Sequence, residues 1–457
     1  MANRASAIIP AECEEQLQIS KRVAAHGAIE ETVISIGGGS EKELELCNGK
    51  TKEVLDPEAD IIEIRKKIHR FPLNLTRLGT DGGYITPRAM ALGPYYHGKP
   101  ELQAMEEVKR KAVDYFEGLP ESQEAALERM KSISGQARGC YADAAALQGI
   151  TDDDFVSMMF VDGCFLVQFM AVLIVTTKDD RLKSLVKPHT ICIMRDMMLL
   201  ENHVPWTVIE FFMALRADLL PMELFVGFVF TLHGTGPRDF LSSVDIDKNY
   251  RPSHLLGFFR FYLVGNYQKP VLAVPQEDYK VHLTTNAAEL AGMGIKLKAR
   301  EIPQLCHMSI TKGPLFAKLS VSPLSLDSTS ICWLVNMAAL ELYDRADCVN
   351  SYLTLLALMM KQEDDVRELR AKGIIHGFFA DRQILELINA LAPDLSPGQT
   401  YALLIMSLAE YRHKRRHWIA VYRFFCNNAK AIAAVLPIVG VLVGILKTLL
   451  SLKQKQQ

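Results

Sequence analysis

TDDDFVSMMFVDGCFLVQFMAVLIVTT, running from Thr151 to Thr177, is apolar on nearly every side once its first turn is past. A helix of that kind is either the buried centre of a soluble body or a membrane span. Its start is written in the chemistry of the first turn. Thr151 supplies a capping hydroxyl, and Asp152, Asp153 and Asp154 follow where the helix dipole favours acids. Asp162 and Gln168 then interrupt the run. A charge at mid-bilayer is costly, so the segment is predicted to be the core helix of a soluble body. Asp162 is expected to be a buried carboxylate satisfied by an Arg or by backbone amides.

Helical patterns extend on both sides. From Glu101 to Glu117, Leu102, Met105, Val108, Ala112 and Tyr115 recur at three- and four-residue spacing, with Pro100 at the first turn. Glu121 to Leu147 is Ala-rich and interrupted by Gly135 and Gly139. Thr190 to Asn202 is predicted helical with Ile191, Met194, Met198 and Leu199 inward, ending before Pro205. Further helices are expected at Trp206 to Leu215, His254 to Val264 and Thr285 to Gly292, with a polar loop over 234–250. Gln304 to Ile310 and Leu315 to Val321 alternate on either side of Lys312-Gly313-Pro314, which predicts a hairpin within a small sheet over 295–326. Asp364 to Lys372 closes on Gly373, and Ser396-Pro397-Gly398-Gln399 opens a helix toward Phe425 with a capping Ser. The fold class is mainly α, a multi-helix body with one small β element.

The second long apolar run is Ala431 to Leu452. It is long enough to cross a bilayer, for which about 20 predominantly apolar residues are needed, provided Lys447 reaches the headgroups. Arg412, Lys414, Arg415, Arg416, Arg423 and Lys430 precede it, while Lys453 and Lys455 follow. That bias predicts a single-pass anchor with the body in the cytosol. The start Met-Ala-Asn-Arg, followed by Glu12, Glu14 and Glu15, argues against a secretory signal, so the expected mode is tail-anchored insertion. The expected organisation is a flexible arm over 1–60, a helical domain over 61–428, a spanning helix over 429–452 and a short tail over 453–457.

Composition sets limits. The chain has 457 residues, 49% of them hydrophobic, and a formal net charge of -2, which suits a globular body and not a polyanion binder. No nucleic-acid partner is expected. Nine cysteines, none in a C-x-x-C pair, suit a reducing compartment better than a disulfide scaffold.

Candidate motifs are weak as chemistry. Gly93-Pro94-Tyr95-Tyr96-His97-Gly98-Lys99-Pro100 has phosphate-loop spacing, but Pro100 stands where Ser or Thr would hold magnesium. It is expected to be a structured turn, with Tyr95, Tyr96, His97 and Lys99 as a candidate recognition loop. Glu201-Asn202-His203 is expected to cap and pack. His413 and His417 are one helical turn apart, but Lys414, Arg415 and Arg416 between them would repel a cation. Neither a metal nor a cofactor is expected. Arg412, Lys414, Arg415 and Arg416 instead read as a basic juxtamembrane segment meeting anionic lipid. Gly440 and Gly444 form G-x-x-x-G, a candidate packing face for a homodimer.

The order of short words along the chain resembles one plant family. The words are Ile68-His69-Arg70-Phe71-Pro72, Leu92 to Pro100 with Met105-Glu106 and Lys109, and Ala137-Arg138-Gly139-Cys140-Tyr141. They continue with Asp162-Gly163-Cys164-Phe165-Leu166, Leu200-Glu201-Asn202-His203-Val204-Pro205, His254-Leu255-Leu256 and Gly373-Ile374-Ile375. Together they resemble the domain-of-unknown-function 247 family, also called uncharacterised protein family 0481, over about Ile61 to Leu452. The chain departs from that pattern at Tyr96, His203 and Trp206, where the family usually has His, Gln and Phe. The resemblance implies a mainly helical body, a C-terminal membrane anchor and no established enzymatic activity. Some grass members of the family look like pollen-side determinants of self-incompatibility. The functional expectation is a membrane-anchored, non-enzymatic recognition or signalling protein with an unknown protein partner. The alternative is a cryptic hydrolase using Cys164 or Cys140 with a distant His.

Overall fold

The computed structural model describes residues 64, 66–75, 83–116, 123–232, 246–247, 250–265, 285–301, 304–344 and 347–454, with side chains to 447. The expected arm over 1–60 and most of the expected loop over 234–250 lie outside them. The described residues belong to one compact unit, Pro57–Gln457.

In chain order, the first helices are α1 (Gln103–Asp114), α2 (Gln123–Gly139), α3 (Asp152–Leu173), α4 (Asp180–Val186), α5 (Thr190–Asp196), α6 (Trp206–Leu215), α7 (Met222–Leu232), α8 (Leu255–Val264) and α9 (Ala287–Gly292). Strands β1 (Ile295–Ala299), β2 (Ser309–Lys312), β3 (Ala317–Val321) and β4 (Leu324–Ser325) follow. The chain then runs through α10 (Ser328–Glu341), α11 (Cys348–Met359), α12 (Glu363–Ala371), β5 (Ile375–His376), α13 (Asp381–Leu391), α14 (Gln399–Lys414), α15 (Arg416–Asn427) and α16 (Ala429–Gln454).

Helix α3 is the centre of the first half. Thr151 caps it as expected, its Oγ1 accepting from Asp154 N at 3.1 Å. Nearly every residue from Phe155 to Ala171 is buried, against α1, α2, α4, α6 and α7. This burial is what makes an all-apolar helix soluble. Gly163 brings α3 and α6 together closely. A Cβ there would lie 2.5 Å from Val208 Cγ1 and 2.9 Å from Phe212 Cε2.

The second half packs α10 against α5, α8 and α11, and α11 against α14. The expected hairpin is present as antiparallel β2 and β3. Strand β1 joins it in parallel, giving a sheet ordered β1-β3-β2. A two-residue parallel pair, β4 with β5, ties the start of α10 to the turn after α12.

Several boundaries differ from the sequence expectation. Helix α2 runs through Gly135 and ends at Gly139. Helix α5 stops at Asp196, and Ile191 is exposed rather than inward. Ser396 is not the cap of α14. The Gln399 amide donates to Asp347 Oδ2 at 2.9 Å instead, so the acceptor comes from a different segment. The long helix expected from Ser396 to Phe425 breaks at Arg415, which divides α14 from α15.

Among the described residues, two helices are long and apolar enough to cross a membrane, and burial separates them. The α3 window is 78% buried inside the body, while none of Ala429–Lys447 is. The terminal run is therefore not a helix tucked into the globular core.

Candidate functional site

Residues 88–93 cross the interior as irregular backbone, with Met90, Ala91 and Leu92 buried. Buried amides and carbonyls outside regular structure must find partners, and here side chains supply them. Asp196 Oδ2 accepts from the amides of Arg88, Ala89 and Met90 at 2.9, 2.6 and 3.2 Å. Asn202 Oδ1 accepts from Leu92 N at 2.7 Å, and its Nδ2 donates to Met90 O at 3.1 Å. Asp162 Oδ2 accepts from Gly93 N at 2.8 Å. Gly93 has φ +73°, and a Cβ there would meet His203 O at 2.5 Å.

The partner of Asp162 is Lys109 on α1. Its Nζ donates to Asp162 Oδ1 at 2.5 Å and to Ala91 O at 2.8 Å, and pairs with Glu106 Oε1 at 2.6 Å. Burial alone would push this lysine down. Asp162 and Glu106 outweigh it and hold the ammonium above its ordinary value. A carboxylate and an ammonium satisfied in this way form a structural clamp on the loop.

Two members of the candidate recognition loop turn inward, which corrects the expectation that they are exposed. Tyr95 and Tyr96 are buried. Tyr95 Oη donates to Ile68 O at 2.9 Å, and Tyr96 Oη donates to Glu201 Oε2 at 2.9 Å. The physical reason is Glu201, which also accepts from Phe71 N at 2.6 Å and pairs with Arg70, so the tyrosines close a polar network. His97 and Lys99 are exposed. His97 lines a cleft of about 390 Å³ together with Glu106, Arg110, Asp154, Ser157 and Asp162. The cleft carries charge of both signs above the clamp.

The groups considered for catalysis are differently placed. Burial pushes the Cys164 thiol up, and its sulfur accepts from Gln168 Nε2 at 3.4 Å. A reactive thiol needs the opposite shift, so Cys164 is not an activated nucleophile. Cys140, just past the end of α2, donates to the carbonyl of Gln136 in that helix at 3.4 Å. His203 is buried and stacked on His254, with ring centroids 4.4 Å apart. Burial drives His203 well below its ordinary value and His254 down to about 3. Neither nitrogen of His203 has a hydrogen-bond partner among the described residues. Glu201 and Asn202 hold backbone and His203 packs, as the sequence suggested.

The basic segment occupies a different part of the body, and its hydrogen bonds share no member with those of the loop. Arg415 turns inward and donates to Gly313 O at 2.8 Å and to Pro314 O. Lys414 pairs with Glu410 at 2.7 Å, and Lys312 pairs with the same carboxylate, which holds Glu410 down at about 2. Arg412 and Arg416 are exposed. On α16, a Cβ added at Gly440 or Gly444 would meet nothing within 4 Å. Sequence reasoning missed Lys109 as the partner of Asp162. The available signal was its position on the buried stripe of α1, between Met105 and Ala112.

A family model for DUF247, described as "Plant protein of unknown function", matches residues 68–443. The chain is 22% identical over 348 residues to UPF0481 protein At3g47200 of Arabidopsis thaliana, covering 68% of this chain and 69% of that one. It is 29% identical over 157 residues to a second Arabidopsis thaliana UPF0481 protein, At3g02645, covering 34% of this chain and 28% of that one. No solved structure matches.

Proposed function

The chain belongs to the DUF247 family of plant proteins of unknown function, and from that membership we propose that it is a membrane-anchored, non-enzymatic recognition protein. The observation that carries the reading is the helix Ala429–Lys447, long and apolar enough to span a bilayer and unburied throughout. An apolar helix of 19 residues left in water exposes a surface far larger than a soluble chain tolerates. Lipid removes that cost. The basic residues before it, from Arg412 to Lys430, favour a cytosolic body. The recognition element is the exposed edge of the clamped loop, His97 and Lys99, beside the charged cleft. The clamp keeps that edge in one conformation, which lowers the ordering cost of binding. Gly440 and Gly444 permit close approach of a second α16 in lipid, giving a homodimer. The self-incompatibility role of some grass members is one form such recognition takes.

Membrane fractionation tests the anchor. The full chain is expected to resist carbonate and high salt and to need detergent for release. A chain ending at Asn428 is expected to be released by carbonate. A full chain that stays in the soluble fraction would sink the reading. For the recognition edge, His97→Ala with Lys99→Glu is expected to abolish partner capture while the melting temperature stays unchanged.

A further inference from the structure

Helix α15 carries a second apolar face that the anchor does not account for. Its docked side is defined by contacts to the body. Ile419 is buried, Trp418 Nε1 donates to Leu315 O at 2.7 Å, and Arg423 Nε donates to Gly292 O at 3.3 Å. Phe316 of the β2–β3 turn lies edge-on to Trp418 and Tyr422. The opposite side presents Val421, Phe424 and Phe425, which are 47%, 61% and 55% exposed. These three lie at i, i+3 and i+4, one stripe of a helix. The β2–β3 turn, whose Leu315 carbonyl takes the Trp418 hydrogen bond, also exposes Leu315, at 49%.

We propose that α15 is itself a membrane-interface helix, laid on an anionic leaflet with Val421, Phe424 and Phe425 in the headgroup boundary and Leu315 as a second point of contact. This rests on the anchor reading for its position, since α16 begins one residue after Asn428 caps α15. That junction holds the aromatic stripe at the depth where a spanning helix enters lipid, the level that aromatic rings favour. Charge selects the occupant. No Asp or Glu occurs from Tyr411 to Gln457, whereas Arg412 on α14, Arg416 on α15 and Lys430 on α16 are exposed. An exposed apolar stripe within an acid-free, basic stretch of chain matches an anionic lipid surface. Because Trp418 and Arg423 bolt α15 to the hairpin and to α9, the contact fixes the tilt of the whole body on the membrane, and α15 acts as a rigid foot.

The test uses the chain ending at Asn428, whose fold does not draw on α16 because none of Ala429–Lys447 is buried. It is mixed with phosphatidylcholine vesicles with and without phosphatidylserine, and the pellet is assayed. Binding to the phosphatidylserine vesicles alone is expected, released by high salt. Phe424→Ser with Phe425→Ser is expected to weaken it about tenfold or more, and Arg412→Gln with Arg416→Gln to weaken it with a shallower salt dependence. Circular dichroism of each variant confirms the unchanged body. Absence of binding to either vesicle, equal binding to both, or indifference to the Phe changes would each overturn the proposal. If the full chain still resists carbonate in that event, the anchor stands and the foot alone is wrong. Salt-sensitive binding of a full chain that carbonate strips would instead defeat the anchor.

Discussion

At the scale of the residue, the decisive groups are buried charges and buried rings. Asp162 was legible as a satisfied carboxylate, because an acid in an apolar helix must be paired. Its partner was not legible, since Lys109 lies 53 residues away and only the packing of α1 on α3 brings them together. Removing one member of a buried pair leaves an uncompensated charge and typically costs about 3–5 kcal/mol. Lys109→Met is expected to lower stability in urea by that amount, and adding Asp162→Asn is expected to recover part of it. An unchanged midpoint for Lys109→Met would show that the clamp holds nothing. The buried rings carry a pH signature. His203 and His254 are both depressed by burial, His254 to about 3, whereas the unfolded chain protonates them below about 6.5. The unfolded state then binds more protons, so stability present at neutral pH is lost as pH falls from about 6.5. Asp196 and Glu341, raised by burial, act in the opposite sense, so the informative quantity is a difference between two chains. His203→Gln removes one imidazole and is expected to reduce the loss of stability between pH 7 and pH 5. Equal acid profiles in urea titrations would contradict a neutral buried His203.

Elements were readable where their punctuation is local. The Thr151 cap, the hairpin around Lys312-Gly313-Pro314 and the Gly373 stop, at φ +69°, depend on neighbours within a few residues. Misreadings arose where a distant group supplies the missing interaction. Strand β1 pairs in parallel with β3, skipping β2, which comes between them only in the chain, and no hairpin signal announces such a partner. Likewise Ser396 looked like a cap, but Asp347 takes that role for α14 through the amide of Gln399. Losing a helix cap costs about 1 kcal/mol, so Asp347→Ala is expected to destabilise by at least that much while Ser396→Ala is close to neutral. A reversed order in thermal melts would restore the local reading. The α3–α6 crossing is a further case. A helix-interior glycine costs about 1 kcal/mol relative to alanine, yet Gly163 leaves room for Val208 and Phe212. Gly163→Val is expected to destabilise by about 1–3 kcal/mol through overpacking, with Val208→Ala restoring part of it.

For the whole molecule, the question is why one chain holds two helices that pass for membrane spans and uses them differently. Length and apolarity do not separate α3 from α16, and the clues in the sequence were the polar residues inside α3 and the basic residues ahead of α16. Asp162 and Gln168 have partners on the facing α1 and its flank, Lys109 and the Ala112 carbonyl, so α3 belongs to protein. Between Lys430 and Lys447, α16 offers no polar side chain for a neighbouring helix to satisfy, the composition that the proposed membrane span requires. The two assignments separate under the same chemical insult. Arginine at the centre of a spanning helix costs about 2.5–3.5 kcal/mol of insertion free energy. Val439→Arg is therefore expected to move much of the protein to the soluble or carbonate-released fraction while the thermal transition of the body is kept. Val167→Arg places the same charge among fully buried residues of α3, where no partner awaits it. It is expected to abolish the cooperative transition and leave the remaining protein membrane-bound through α16. If Val439→Arg unfolds the body and Val167→Arg releases a folded chain, the roles of the two helices are exchanged. Each helix then has to be reassigned, together with the foot built on α15.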